Sequence, residues 1–267
     1  MRTQLEYYFL LFFISAVLGW LMEVTCKLFE FRRFINRGML IGPYCPIYGF
    51  GSVLLTAALS PISDQPVQAF LMAIALCGGL EYLTSYLLEK LFHARWWDYS
   101  KRRFNINGRV CANTLIPFGV LGLVMIYVVK PFLFGLFAQI SQTALDIVCG
   151  ALLALILTDA AVSTSILGKI RQAAENVAGD NTETITRAVR ERLAEQSALV
   201  RRVLAAFPYA RIYNRRLLKQ LHERGEVVRS EIRSRERAML EEIERREERI
   251  HTEMKKIREQ RRDAKKK

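Results

Sequence analysis

EYLTSYLLEKLFHARWWDYSKRRFNINGRVC, residues 81–111, begins as an apolar run carrying two carboxylates and ends as a dense aromatic and basic segment. That transition is the mark of a helix leaving a bilayer. Glu81, Ser85 and Glu89 recur every fourth residue, so a helix gathers them on one face, with Cys77 one turn earlier on the same stripe. A charge at the bilayer centre costs about 2.5–3.5 kcal/mol on insertion scales, so this face is expected to meet other helices or a wet cavity. The sequence therefore describes a membrane protein with a polar interior.

Composition divides the chain in two. Of its 267 residues 51% are hydrophobic, yet the formal charge is +13, a pairing that one globular domain seldom shows. Residues 1–168 hold 12 Lys/Arg and 9 Asp/Glu, whereas 169–267 hold 27 and 17. We therefore expect a transmembrane domain over 1–168 and a basic tail over 169–267. The five cysteines are scattered without a close pair and read as packing thiols rather than a disulfide or zinc framework.

Upstream of the opening stretch, Tyr7 to about Phe29 is long enough for a first span. Its length and the lack of a small-residue cleavage site separate it from a signal peptide. Ser15, Gly19, Glu23 and Lys27 share one side of that helix, with Glu23 and Lys27 at ion-pair spacing. Asn36-Arg-Gly and Gly42-Pro-Tyr-Cys-Pro-Ile-Tyr-Gly49 follow. Pro43 and Pro46 remove backbone donors, Gly38, Gly42 and Gly49 weaken helix, and Tyr44 and Tyr48 suit an interface. Two readings stay open: an interfacial entry loop, or irregular backbone at membrane depth that lines a cavity and gates it. In the second, Asn36, Arg37, Gly38, Gly42, Pro43, Tyr44, Pro46, Tyr48 and Gly49 form the gate. A second span then runs to about Leu59, and a third from about Val67 to Leu88, where Gly78-Gly79 precede the polar stripe.

Beyond Glu89, Arg95, Trp96, Trp97, Asp98 and Tyr99 interleave bases with aromatics, which beside two spans suits anionic lipid headgroups better than nucleic acid. Asp98 is expected to pair with a neighbouring base. Asn105-Ile-Asn107-Gly108 is a turn signature, leading to Arg109. A fourth span starts near Ala112, with Pro117 set to kink it and Lys130-Pro131 at its far end. A fifth covers about Ala144 to Leu167 and places Asp159 inside the bilayer. Loops one and three and the tail hold nearly all the bases. The expected architecture is thus all-α, with about five transmembrane helices, the N-terminus outside and the tail in the cytoplasm.

In the tail, Asp180-Asn-Thr-Glu183 resembles a capping box, and Ile185, Val189, Leu193, Val200, Val203 and Leu204 keep helical spacing up to Pro208. From Leu218 onward an approximate heptad seam suggests a coiled coil and self-association, or else a single charged helix.

The motifs Asn36-Arg-Gly, Gly42-Pro-Tyr-Cys-Pro-Ile-Tyr-Gly49, Glu81-Tyr, Glu89-Lys-Leu-Phe, Arg95-Trp-Trp-Asp-Tyr-Ser100 and Asn107-Gly-Arg-Val-Cys111 resemble the CmpB-like ABC-transporter type IV membrane proteins of bacteria over roughly residues 5–165. The resemblance implies a multi-pass inner-membrane permease and brings no catalytic residues with it. The chain has no G-x-x-x-x-G-K-[ST] segment, so ATP-driven transport would need a separate ATPase subunit. In this reading Glu23, Glu81, Ser85, Glu89 and Asp159 form the intramembrane polar site, with no cofactor or metal, and residues 90–111 dock the motor. A membrane-anchored scaffold recruiting partners through its tail is the alternative. A lipid-acting enzyme using Glu81, Glu89 or Asp98 is the weaker third, since the three histidines are far apart and no H-E-x-x-H occurs.

Overall fold

The computed structural model describes residues 2–177, 181–194, 198–214 and the positions 216, 217, 219, 220 and 223. The chain divides into two compact units, Met1–Arg215 and Arg216–Lys267. The heptad-like seam beginning at Leu218, with the coiled coil it suggests, lies outside the described residues, as does the basic end of the tail. The boundary drawn from composition at 168 falls inside a continuous helix of the first unit.

Helix α1 (Arg2–Phe31) comes first, followed after an irregular segment by α2 (Pro46–Leu59), a 3-10 turn (Ser60–Ile62) and α3 (Pro66–Phe92). Strand β1 (Ala94–Arg95) and the β2 (Asn105–Ile106) and β3 (Val110–Cys111) hairpin form the long loop, then α4 (Ala112–Val124), a π-helical segment (Met125–Val129) and α5 (Lys130–Phe137) make one apolar rod. Helix α6 (Gln142–Glu175) leads to α7 (Thr182–Ala194), α8 (Ala198–Ala206) and β4 (Arg211–Ile212), which pairs antiparallel with β1.

Among the described residues, four helices are long and apolar enough to cross a membrane: Arg2–Phe31, Pro66–Phe92, Ala112–Phe137 and Gln142–Glu175. The expected second span is instead a helix of 14 residues, which at about 1.5 Å per residue falls short of a hydrocarbon core of about 30 Å. The reason is local. Prolines at 43 and 46 and glycines at 38 and 42 leave residues 32–45 without regular structure, and Pro46 takes the first helical position, where a missing N–H is harmless. The fourth span also departs from expectation, since it continues through Lys130-Pro131 to Phe137. Pro131 has no N–H to give to the carbonyl four residues back, and the helix absorbs this by widening to a π turn just before it, where Lys130 N–H reaches Met125 O.

The two ends of the bundle are defined by contacts. At one end Arg2 meets Asp146, Thr3 meets Gln142, and Leu10, Leu11, Leu133, Phe137 and Leu145 form a cluster. Lys130 reaches Ser60 and Tyr127 reaches Ser63 in the same half. At the other end the 32–37 segment, the 93–111 loop and the described residues between 171 and 214 come together, as in Tyr213 N–H to His93 O at 2.8 Å. Ile185, Val189, Leu193, Val200, Val203 and Leu204 are all buried and form the core of this end.

Candidate functional site

The irregular segment does not stay at the surface. Cys45 N–H donates to Ala16 O at 2.9 Å, fifteen residues before the end of α1, which is about 22 Å along its axis. Asp159, midway along α6, holds the segment from the other side. Its carboxylate accepts from Ile41 N–H (2.8 Å), Gly42 N–H (2.7 Å), the Tyr44 hydroxyl (2.5 Å) and Ser163 (2.8 Å). Irregular backbone leaves N–H groups that must be satisfied in a low-dielectric setting, and an acidic side chain does this with charge-assisted bonds. Asp159 thus acts on the loop rather than facing an open space, and Arg202 on α8 lies within reach of its charge.

Around this segment the helices leave a cavity of about 630 Å³. Its walls are mainly apolar and aromatic, with Tyr48, Phe50, Phe92, Trp97, Tyr99, Phe118 and Phe207 among them. From α1 it takes Ser15, Gly19 and Glu23, the stripe visible in the sequence, and from α3 it takes Cys77 and Glu81. The expected Glu23–Lys27 pair is replaced: Lys27 binds Glu30, while Glu23 binds Arg37 at 3.2 Å and accepts from the Tyr48 hydroxyl at 2.8 Å. A loop arginine reaching back one turn further out offers the carboxylate a partner that also anchors the irregular segment. Asn36 assists by accepting from Trp20 Nε1 at 2.8 Å.

Glu81 is only 8% exposed and receives the Tyr99 hydroxyl at 3.3 Å and the Thr114 hydroxyl at 3.4 Å. No cation pairs with it among the described residues. Burial, then the charges of Glu81 and Glu23, push the Tyr99 hydroxyl pKa above its ordinary value, so the phenol stays protonated and remains a donor to Glu81. The rest of the α3 stripe does something different. Arg109 reaches Ser85 (3.2 Å) and Glu89 (3.1 Å) and lies over the rings of Tyr82 and Tyr86, while Arg95 binds Glu89 at 2.8 Å. Ser85 and Glu89 therefore clamp the 93–111 loop against α3, and Glu81 alone of the three carries its carboxylate to the cavity wall.

The loop itself is tightly specified. Asn107 and Gly108 sit at positive φ in the β2–β3 turn, as their sequence promised, and Tyr99 N–H binds Gly108 O at 2.8 Å. Trp97 donates to Arg109 O, while Trp96 is buried with its ring edge-on to Phe207 at 5.1 Å. Phe207 also lies under Arg37, 4.8 Å from its guanidinium carbon, and Arg37 donates to Ala206 O. Arg190 holds this turn by donating to Leu204 O, Phe207 O and Pro208 O. Thr114, a hydroxyl partner of Glu81, and Phe207, on the cavity wall, are among the residues that sequence reasoning passed over. The aromatic-proline interruption Phe207-Pro208-Tyr209 in an otherwise basic helix was the signal available for the second.

Asp98 pairs with Arg95 as anticipated, at 3.8 Å, and also with Arg211 of β4 at 3.0 Å. Burial alone would raise its pKa, but hydrogen bonds from Ser100 and the two arginines bring it below the usual 3.8. A carboxyl with a lowered folded pKa stabilises the fold above its unfolded value and loses that contribution as pH falls through the folded one. We expect the β1–β4 ladder to open to hydrogen exchange as pH drops below about 3.8, and Asp98→Asn to show the same opening at pH 7. Equal protection in both proteins at pH 7 would remove Asp98 from that role.

These features define a polytopic helical membrane protein with an internal cavity. Residues 10–164, more than half of the chain, match the family described as Putative ABC-transporter type IV, and the chain belongs to that family. No curated protein and no solved structure matches it.

Proposed function

We propose that the protein is the membrane-embedded permease subunit of a transporter, with the cavity as its solute site. The observation that carries this reading is Glu81, a buried carboxylate on the cavity wall with hydroxyl donors and no paired cation among the described residues. Intramembrane ionisable groups are costly, and their usual use is to meet a substrate or a coupling ion. Glu23, held by Arg37 and Tyr48, is the second polar contact. The Asn36–Gly49 segment, pinned by Asp159, gates the site. Ser85, Glu89, Arg95, Asp98 and Arg109 position the loop that supplies Tyr99.

The topology follows from counting residues 32–62 as one crossing, half irregular segment and half α2. Five crossings then put the N-terminus outside a bacterial inner membrane and the base-rich loops and tail in the cytoplasm, in line with the positive-inside rule. Without a phosphate-binding loop of its own, the chain works with a separate ATPase, for which the 93–111 face is the docking surface.

Purifying the full chain from its native membranes in mild detergent should bring down a P-loop ATPase in stoichiometric amount, identified by mass spectrometry. In that complex Glu81→Gln is expected to alter ATP turnover at an unchanged level of assembled complex. Recovery of only non-ATPase partners held by residues 169–267 would overturn the permease and favour the scaffold. If Glu81→Gln merely lowers the assembled amount, Glu81 belongs to the fold and not to the site.

A further inference from the structure

The cavity's chemistry restricts what can occupy it. Arg37, the base on its wall, is paired with Glu23 in direct contact, while Arg202, which does not line the cavity, feels the charge of Asp159 and has no hydrogen-bond partner for its buried guanidinium among the described residues. Glu81 is the carboxylate left over. An occupant that brought an anion would meet Glu81 unscreened, whereas one bringing a cation would supply the missing partner. The aromatic wall points the same way. Tyr48, Trp97, Tyr99, Phe118 and Phe207 line the space, and ring faces attract organic cations, most of all when water is excluded.

Two further observations describe the rest of the occupant. Ser15 lines the cavity with a buried hydroxyl that has no hydrogen-bond partner among the described residues, so the protein leaves a polar contact open there. On the opposite side of the question, Leu18, Met22, Phe50, Leu121 and Val124 line the cavity and are at the same time exposed on the apolar exterior of the bundle. The cavity therefore communicates with the surface that hydrocarbon covers. A molecule entering by this route partitions into lipid first, which demands an apolar body. The volume lies within the range of about 300–1,000 Å³ typical of sites for small organic ligands.

We propose that the cavity binds a lipophilic organic cation that enters from the bilayer, sets its positive centre between the Glu81 carboxylate and the aromatic wall, and packs its body against α1, α2 and α4. This rests on reading the cavity as the solute site. Tetraphenylphosphonium and tetraphenylborate, alike in size and shape and opposite in charge, form the probe pair. They are titrated onto the full-length protein in nanodiscs of zwitterionic lipid, with empty nanodiscs as the partition control.

Saturable binding of the phosphonium at one per chain, with none of the borate above the empty-disc control, is the expected result. Glu81→Gln should weaken the phosphonium by about tenfold or more, and Glu81→Asp should restore part of the loss. Equal binding of both ions, or of neither, overturns the proposal on the wild-type protein alone, whatever the variants do to folding. A Glu81→Gln protein that unfolds at the wild-type temperature and binds the phosphonium as tightly overturns it as well. The permease reading fails separately: cation binding without a co-purifying ATPase leaves the ligand class standing, and an ATPase complex that ignores the phosphonium leaves the permease standing.

Discussion

Glu89→Ala should be among the most damaging single substitutions in the protein. Among the described residues Glu89 is the only acid within ion-pair distance of Arg109 and is shared with Arg95, at 3.1 and 2.8 Å, and the three side chains are 9–17% exposed. Removing the carboxylate leaves two guanidinium groups at the foot of α3 with little water to compensate them. Breaking a buried pair by deleting one partner costs about 3–5 kcal/mol, mostly as the penalty on the charge left behind. Arg95 retains Asp98 at 3.8 Å, so Arg109 carries most of that penalty. Ser85→Ala, which takes only one hydrogen bond from Arg109, should cost about 1 kcal/mol. The thermal midpoints of both variants in one detergent, read by size-exclusion fluorescence, make the comparison. If Glu89→Ala falls no further than Ser85→Ala, the clamp does not depend on its charge.

The clamp was half visible in the sequence. The four-residue spacing of Glu81, Ser85 and Glu89 and the bases of 95–109 were plain, because both sides lie within 30 residues of one another and helical periodicity is a local property. Periodicity could not divide the labour along the stripe. Only the loop's path shows that Arg95 and Arg109 take Glu89 and Ser85 and leave Glu81 to the hydroxyls of Tyr99 and Thr114. Asp159 illustrates the limit more sharply. From sequence it is an acid inside a span, but its partners are backbone N–H groups of residues 41 and 42, more than a hundred positions away, and backbone donors leave no trace in composition. The short α2 was hidden for a related reason, since hydropathy reports apolar character and not whether Gly and Pro let the chain coil. From Lys169 onward the tail reads as soluble because its charge dominates. The contacts that its described residues make with the 93–111 loop, Phe207 on Trp96 and the β1–β4 pairing through Arg211 and Ile212, come from single residues that a basic background does not announce.

Gly122→Ala and Gly135→Ala, the same substitution twice in the apolar stretch 112–137, should act with opposite sign. A Cβ on Gly122 would lie 2.3 Å from the Cβ of Ala73 on α3, a side chain with no exposure and no rotamer by which to retreat. The α3–α4 crossing must then widen, and membrane helices that associate through small residues lose close contact along the whole seam. Overpacking of this kind costs about 1–3 kcal/mol. At Gly135 an added Cβ meets nothing within 4 Å, so the substitution gains helix propensity, worth about 1 kcal/mol where exposed. The cause can be isolated by adding Ala73→Gly to Gly122→Ala, which transfers the missing methyl to the facing helix. That double variant should recover most of the lost midpoint, although Ala73→Gly alone destabilises. Simple additivity of the two changes would mean that the helices do not approach as closely as the Gly122–Ala73 contact requires, because residues in direct contact must couple.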